Sequence, residues 1–409
     1  MKKLFIILFF VLAFLSGLAR TLIVSPQAKI RTLRQAIQMA NDGDTILLTK
    51  GIYREGALTI TKSIKLIGQG SPVLDGEKKY EILLISGKNI LVKGITFQNS
   101  GYSAMNDFAS IKVVNADRIS LIGNIIIDAY FAIHVSNSTH TTISGNRIQG
   151  SPVSEQLTGN GIHLWKSTSA QILNNQITGH RDGIYFEFVS QSTITGNTSE
   201  KNIRYGLHFM FSNDDRYEGN TFRGNGAGVA VMYSKRVIMI RNQFEENWGP
   251  SAYGLLLKDI TDSDISENAF LTNTVGIHME GSSRIGITHN QFKNNGWAIK
   301  VQASCDDNRF TKNNFIGNSF DVGTNGTMML NEFSDNYWDK YEGYDLNKDG
   351  IGDIPFHPVS MYSMIIEQNP STLILFRSFL TSLLDRSEKA IPGLTPADLV
   401  DKTPMMKIQ

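Results

Sequence analysis

An Asn-x-Ile/Phe triplet returns roughly every twenty-two residues along most of this chain, and few folds can carry such a repeat. It occurs at Asn124-Ile125-Ile126, Asn146-Arg147-Ile148 and Asn175-Gln176-Ile177, and passes through a variant at Asn197-Thr198. It continues at Asn220-Thr221-Phe222, Asn242, Asn268, Asn290 and Asn313, and ends at Asn331-Glu332-Phe333. The intervals are 22, 29, 22, 23, 22, 26, 22, 23 and 18 residues. A second marker keeps phase with the first: Gly161-Ile162-His163-Leu164, Gly183-Ile184-Tyr185-Phe186 and Gly206-Leu207-His208-Phe209, then Gly228, Gly254 and Gly276 in the same setting. A period of this length admits a leucine-rich horseshoe or a parallel β-helix. The apolar residues here alternate in short Ile, Val and Phe runs between Gly and Asn, which is strand chemistry with turn punctuation. The expected fold is therefore all-β, a parallel β-helix (solenoid). The recurrent Asn is expected to stack from coil to coil and bond neighbouring backbone.

The ends of the repeat read differently. Leu33, Ala36, Ile37 and Ala40 lie on one face of a helical pattern over 32–40, ahead of the turn Asp42-Gly43-Asp44. An amphipathic helix here would blunt the open edge of the first coil. Past Phe333 the repeat fades. In the tail, residues 373–384 suggest one amphipathic helix that either caps the last coil or docks on a partner. Its apolar face would present Leu373, Leu375, Phe376, Phe379 and Leu383.

Residues 1–19 carry Lys2 and Lys3, an unbroken apolar run over 4–15, and small Gly17 and Ala19 before Arg20. That is the form of a secretory signal peptide, too short in its apolar part to span a bilayer. The expected organisation is a cleaved leader over 1–19, a β-helix with its cap over 20–334, and a C-terminal region over 335–409. Without Lys2 and Lys3 the chain carries 37 basic and 38 acidic residues. That balance argues against a nucleic-acid-binding protein. The single Cys305 excludes an internal disulfide framework and a four-cysteine zinc site.

Strand parity sorts the second marker into faces. Ile162 and Leu164 point inward, so His163 and Trp165 point outward. One outward column then holds His134, His163, Tyr185, His208, Ala230, Leu256, His278 and Lys300. Its neighbour holds Trp165, Glu187, Met210, Met232, Lys258 and Glu280. His208, Met210 and Met232 fall together on adjacent coils, facing solvent, with His163 two coils back. An imidazole with two thioethers is a soft donor set suited to Cu(I). A second group of soft donors lies at His357, Met361 and Met364. Asp345-x-Asn347-x-Asp349-Gly350 has oxygen ligands where a calcium loop begins, with Asp353 at its ninth position. Position 12 is Phe356, so the loop is expected either to bind calcium weakly or to close on itself as an Asx turn.

The opening over 32–53, these coils, Asp335-Asn336-Tyr337-Trp338-Asp339, the stretch 343–355 and the close over 392–401 together resemble the NosD family. The resemblance runs over nearly the whole chain after the leader. It implies a right-handed parallel β-helix with a helical cap and tail, periplasmic and held near the inner membrane through its partners. It also implies an accessory rather than catalytic role, with copper handed over during maturation of nitrous oxide reductase. The implied partners are an ABC-type ATPase, a membrane permease, a copper donor lipoprotein and the reductase. The rival class is a carbohydrate-active β-helix enzyme, a lyase, hydrolase or epimerase. Such an enzyme needs acids clustered in register. Its candidates, Asp182 with Glu187 and the pair Asp214-Asp215, do not recur in adjacent coils.

Overall fold

The computed structural model describes residues 19–103, 106–326, 330–390 and 399–409, except the side chains at 382, 385, 389 and 390. The leader up to residue 18, and the 392–398 part of the closing motif, lie outside the described residues.

The chain forms two compact units, Met1–Ile148 and Gln149–Gln409. In the first, Thr21–Val24, Thr45–Thr49, Lys65–Gln69, Lys88–Lys93 and Asp117–Ile122 stack as parallel neighbours in one sheet. The helix Leu33–Met39 forms where its periodicity predicts. Thr32 Oγ1 accepts Gln35 N, and the Glu55 carboxylate accepts Leu33 N and Arg34 N at 2.7 and 2.8 Å. These bonds satisfy amides that an α-helix leaves open at its start. Leu33 and Ala36 are buried.

In the second unit each coil contributes three short strands, such as Tyr205–Met210, Arg216–Glu218 and Thr221–Arg223. Each strand pairs in parallel with its counterpart in the next coil: Leu207 with Val229, Tyr217 with Met239, Phe222 with Phe244. Three features of the repeat account for this stacking. Phe222, Phe244, Phe270, Phe292, Phe315 and Trp338 are fully buried and form one internal pile with centroid spacings of 5.6, 4.6, 4.9, 5.0 and 4.0 Å. The Asn column is a ladder: Asn220 N and Nδ2 both donate to Asn242 Oδ1, and Asn242 repeats this to Asn268. Each Nδ2 also donates to a carbonyl of the preceding coil, as Asn242 does to Tyr217 O at 3.0 Å. A buried turn thus leaves no amide unpaired. The Gly column is a close approach: a Cβ on Gly206 would sit 2.7 Å from Gly228 O, and one on Gly228 2.4 Å from Gly254 O.

A second ladder, Asn202-Asn225-Asn247-Asn273-Asn295-Asn318, runs beside the first. One assignment from the repeat needs correction. Asn331 does not follow Asn313; its side chain accepts from Asn308, in a different column. The next rung is Asn336, which accepts Asn313 Nδ2 at 3.0 Å, restoring an interval of 23 residues. Asp401, fully buried, then closes the ladder: its Oδ2 accepts Asn336 N, Asn336 Nδ2 and Trp338 Nε1 at 3.0–3.1 Å. The last residues are therefore a cap on the final coil.

The single amphipathic helix expected over 373–384 is broken in two. A 3-10 turn Pro370–Leu375 precedes the helix Phe379–Ala390. Arg377 takes φ +61° between them, a left-handed conformation that no right-handed helix passes through. Ahead of both, the helix Met361–Gln368 lays Tyr362 and Ile366 on Val275, Trp297 and Phe320. Among the described residues no helix is long and apolar enough to cross a membrane.

Candidate functional site

The outer face of the second unit is built by the strands Ile162–Trp165, Asp182–Glu187, Tyr205–Met210, Ala227–Met232 and their successors. Their register sets His163 opposite Tyr185, Tyr185 opposite His208, and His208 opposite Ala230. In the neighbouring column Trp165 faces Glu187, Glu187 faces Met210, and Met210 faces Met232. Adjacent strands lie about 4.8 Å apart, so the two methionines are nearest neighbours on the face.

His208 departs from the expectation of a solvent-facing ligand. It is 5% exposed. Its ring lies 4.9 Å from the Tyr185 ring and 4.8 Å from the Tyr205 ring, centroid to centroid. Aromatic neighbours one coil back and three residues back cover it, which parity alone does not anticipate. Met210 and Met232 are half-buried. His163 does not reach the group. The Tyr185 ring lies between, 4.7 Å from the His163 ring, and His163 Nδ1 faces Asn160 Nδ2 at 3.3 Å.

Both nitrogens of His208 are buried without a hydrogen-bond partner. Its Nδ1 sits 3.8 Å from Asp182 Oδ2, too long for a hydrogen bond. Asp182 is fully buried and clamped by Arg204, whose Nε and Nη2 donate to its two oxygens at 2.8 and 2.5 Å. Burial works to raise the Asp182 pKa. The Arg204 guanidinium, with the His208 ring beside it, outweighs burial and holds the carboxyl below its usual range. Tyr185 donates toward Glu187 Oε2 at 3.4 Å and toward Met210 Sδ at 3.6 Å. Burial, reinforced by Glu187 and Asp182, pushes this hydroxyl up to about 12, so it stays a donor.

The register therefore sets Met210 opposite Met232 with His208 two residues before Met210, places Asp182 beside the His208 ring only, and leaves His163 outside. Among the described residues no three His, Cys, Asp or Glu side chains converge as a metal cage. Arg204 and Tyr205 escaped the sequence reading, which had Tyr185 in the column but not its cover of His208, although Asp182 and Arg204 are 22 residues apart, one coil.

The remaining expected residues lie elsewhere. Asp345 Oδ2 accepts Gly350 N at 2.9 Å, Asn347 Oδ1 accepts Asp349 N at 3.1 Å, and Asp353 Oδ2 accepts Leu346 N at 2.7 Å. Within the acidic loop these carboxylate and amide oxygens bond the loop's own backbone in Asx-type turns. In the tail, Phe376 stands 5.4 Å from Phe320 and belongs to the body, while Leu373, Leu375, Phe379 and Leu383 are exposed.

These features define a class: a parallel β-solenoid with a partly covered soft-donor group on one outer face. A family model described as "Periplasmic copper-binding protein (NosD)" matches residues 147–347. A probable ABC transporter binding protein NosD of Stutzerimonas stutzeri is 29% identical over 382 residues, covering 88% of this chain and 86% of that one. Its counterpart in Pseudomonas aeruginosa is 28% identical over 410 residues, with 88% of each covered. Over these spans the chain is similar to the NosD family. Among solved structures, the catalytic domain of a GH87 alpha-1,3-glucanase in complex with tetrasaccharides matches with TM-score 0.66 and 10% identity, over 79% of this chain and 70% of that one. PfbA, a surface adhesin of Streptococcus pneumoniae, matches with TM-score 0.56 and 12% identity, over 74% and 84%. At these identities the likeness is one of fold alone.

Proposed function

We propose that this protein is an exported, non-catalytic accessory factor. It takes up copper as cargo and hands it on during assembly of the nitrous oxide reductase copper cluster, beside an ABC-type ATPase and its permease. The observation that carries this reading is the neighbour pair Met210–Met232 with His208 two residues from Met210. Two thioethers and an imidazole suit Cu(I) and suit Mg2+ or Ca2+ poorly. Partial cover fits a carrier: Tyr185 and Tyr205 screen the imidazole from water, and the sulfurs remain at the surface for exchange. Asp182 lies on the Nδ1 side of the ring, so Nε2 is the nitrogen we assign to the metal. His163, edge-on to Tyr185 on its far side, is a relay position rather than a ligand of the same ion. Exposed Leu373, Leu375, Phe379 and Leu383 are the proposed contact with the membrane partners.

A carbohydrate-active reading has less support. Its best acid, Asp182, is buried and held on both oxygens by Arg204. A general acid or base must reach the reacting atom.

The test is made in a denitrifying host lacking this chain. Nitrous oxide reductase purified from it should be depleted in copper and lack the spectroscopic signature of its catalytic cluster. Reductase with a full cluster would contradict the proposal.

A further inference from the structure

Directly after Glu187, Met210 and Met232 the chain turns, and the turn residues are Phe188, Phe211 and Tyr233. All three are exposed, at 47%, 40% and 41%. All three take left-handed backbone, with φ of +54°, +51° and +53°. The same turn position in flanking coils holds Lys166, Asp259 and Gly281. Among the described non-glycine residues of positive φ, these are the three Phe, Tyr or Trp residues. A bulky aromatic is a poor choice for such a backbone, and an exposed one gains little from burial. Strain and exposure retained in three successive coils point to a function.

The three rings stack on one another: Phe188 on Phe211 at 5.2 Å and 9°, Phe211 on Tyr233 at 5.0 Å and 14°. Their faces are turned toward each other, so the ribbon offers mainly ring edges to solvent. That geometry selects its occupant. A sugar stacks on ring faces, and here the stacking takes them up. Ring edges carry positive potential and receive thioether sulfur well. The ribbon also continues the Met210–Met232 pair by one residue on each strand. We propose that Phe188, Phe211 and Tyr233 form a docking ledge for a methionine-bearing segment of the protein that exchanges copper with this chain. This inference rests on the copper reading above and adds the contact surface to it.

The test replaces all three with asparagine, a residue that tolerates left-handed backbone. The probe is a synthetic methionine-rich peptide, compared with its leucine counterpart and with an alpha-1,3-glucan tetrasaccharide. Binding of the copper-free methionine peptide to the wild-type protein should weaken at least about tenfold in the triple variant, a loss of about 1.4 kcal/mol. The melting temperature should not fall, because the replacements relieve strain. Cu(I) transfer from the loaded peptide should slow, with the equilibrium Cu(I) affinity of the variant unchanged. Three results would overturn the ledge: no binding of the methionine peptide to wild type, equal binding by the variant, or loss of tetrasaccharide binding instead. A protein that holds no Cu(I) would remove the copper reading, and the copper-free arm would still decide the ledge.

Discussion

Met210 and Met232 stand opposite one another on adjacent parallel strands, 22 residues apart in sequence and one coil apart in space. His208, two residues before Met210, has both ring nitrogens buried and unpaired beneath two tyrosine rings. A buried imidazole normally finds a hydrogen-bond partner, and His208, like His180, has none on either nitrogen among the described residues.

The cluster below that imidazole is a structural prediction of its own. Arg204→Met strips the buried Asp182 carboxylate of its close ion pair, leaving Tyr205 N at 3.3 Å and Arg181 Nε at 3.9 Å, which is expected to destabilise by about 3 kcal/mol. Adding Asp182→Leu should recover most of that loss, because the orphaned charge is gone. Urea unfolding of the two variants checks this; a double variant no more stable than the single one would mean the pair acts through some other contact.

Capping of the Asn ladder is open to the same kind of measurement. Asp401→Ala removes one acceptor that satisfies three buried donors. A loss of about 3 kcal/mol is expected, at the scale of charge-assisted bonds left unmade. Thermal melting that stays at the wild-type temperature would show that the last coil closes without Asp401.

Asp215 sets a pH dependence. It is buried, Oδ1 accepts Ser192 N at 2.8 Å, and Oδ2 has no partner. Burial, the largest cause, raises its pKa to about 7 from 3.8, with Ser192 N opposing and Asp214 adding slightly. With the folded pKa above the unfolded one, the native state holds its proton between about pH 4 and 7 while the unfolded chain releases it. Stability should therefore fall across that window and level off above it, by on the order of 4 kcal/mol. Asp215→Asn keeps the bond to Ser192 and should flatten this part of the profile, raising stability at pH 8. An unchanged slope would assign the dependence to other groups.

The tail separates into a packed and an open part. Phe376→Ala should destabilise, since the ring rests on Phe320. Phe379→Ser with Leu383→Ser should change stability by less than about 0.5 kcal/mol, as exposed positions do. The same pair should abolish co-purification with the ATPase and permease. Retained co-purification would move the partner contact off this helix.

What the sequence made legible followed from its period. The coils, their inward Phe and Ile residues, the Asn ladder and the two outward columns all depend on local alternation repeated every coil, and the register bears out the columns. The helix Leu33–Met39 was readable for the same reason. What did not follow was anything made by side chains from different coils meeting above the face. Tyr185 approaches His208 from the preceding coil and Tyr205 from three residues back on the same strand, and alternation does not tell that their rings close over it. The return of Asp401 to Asn336 joins residues 65 apart with no shared period. The jump from Asn313 to Asn336 was masked by Asn331, which fits the triplet but belongs to another column.

Anaerobic Cu(I) titration of the mature chain against a competing chelator, with metal analysis, tests the central claim most directly. The wild-type protein should bind about one Cu(I). Met210→Leu with Met232→Leu keeps side-chain bulk and removes both sulfurs. It should weaken binding at least about tenfold, as should His208→Gln, with unchanged circular dichroism. A Cu(I) affinity identical in the wild type and in the combined His208→Gln, Met210→Leu, Met232→Leu variant would contradict the account.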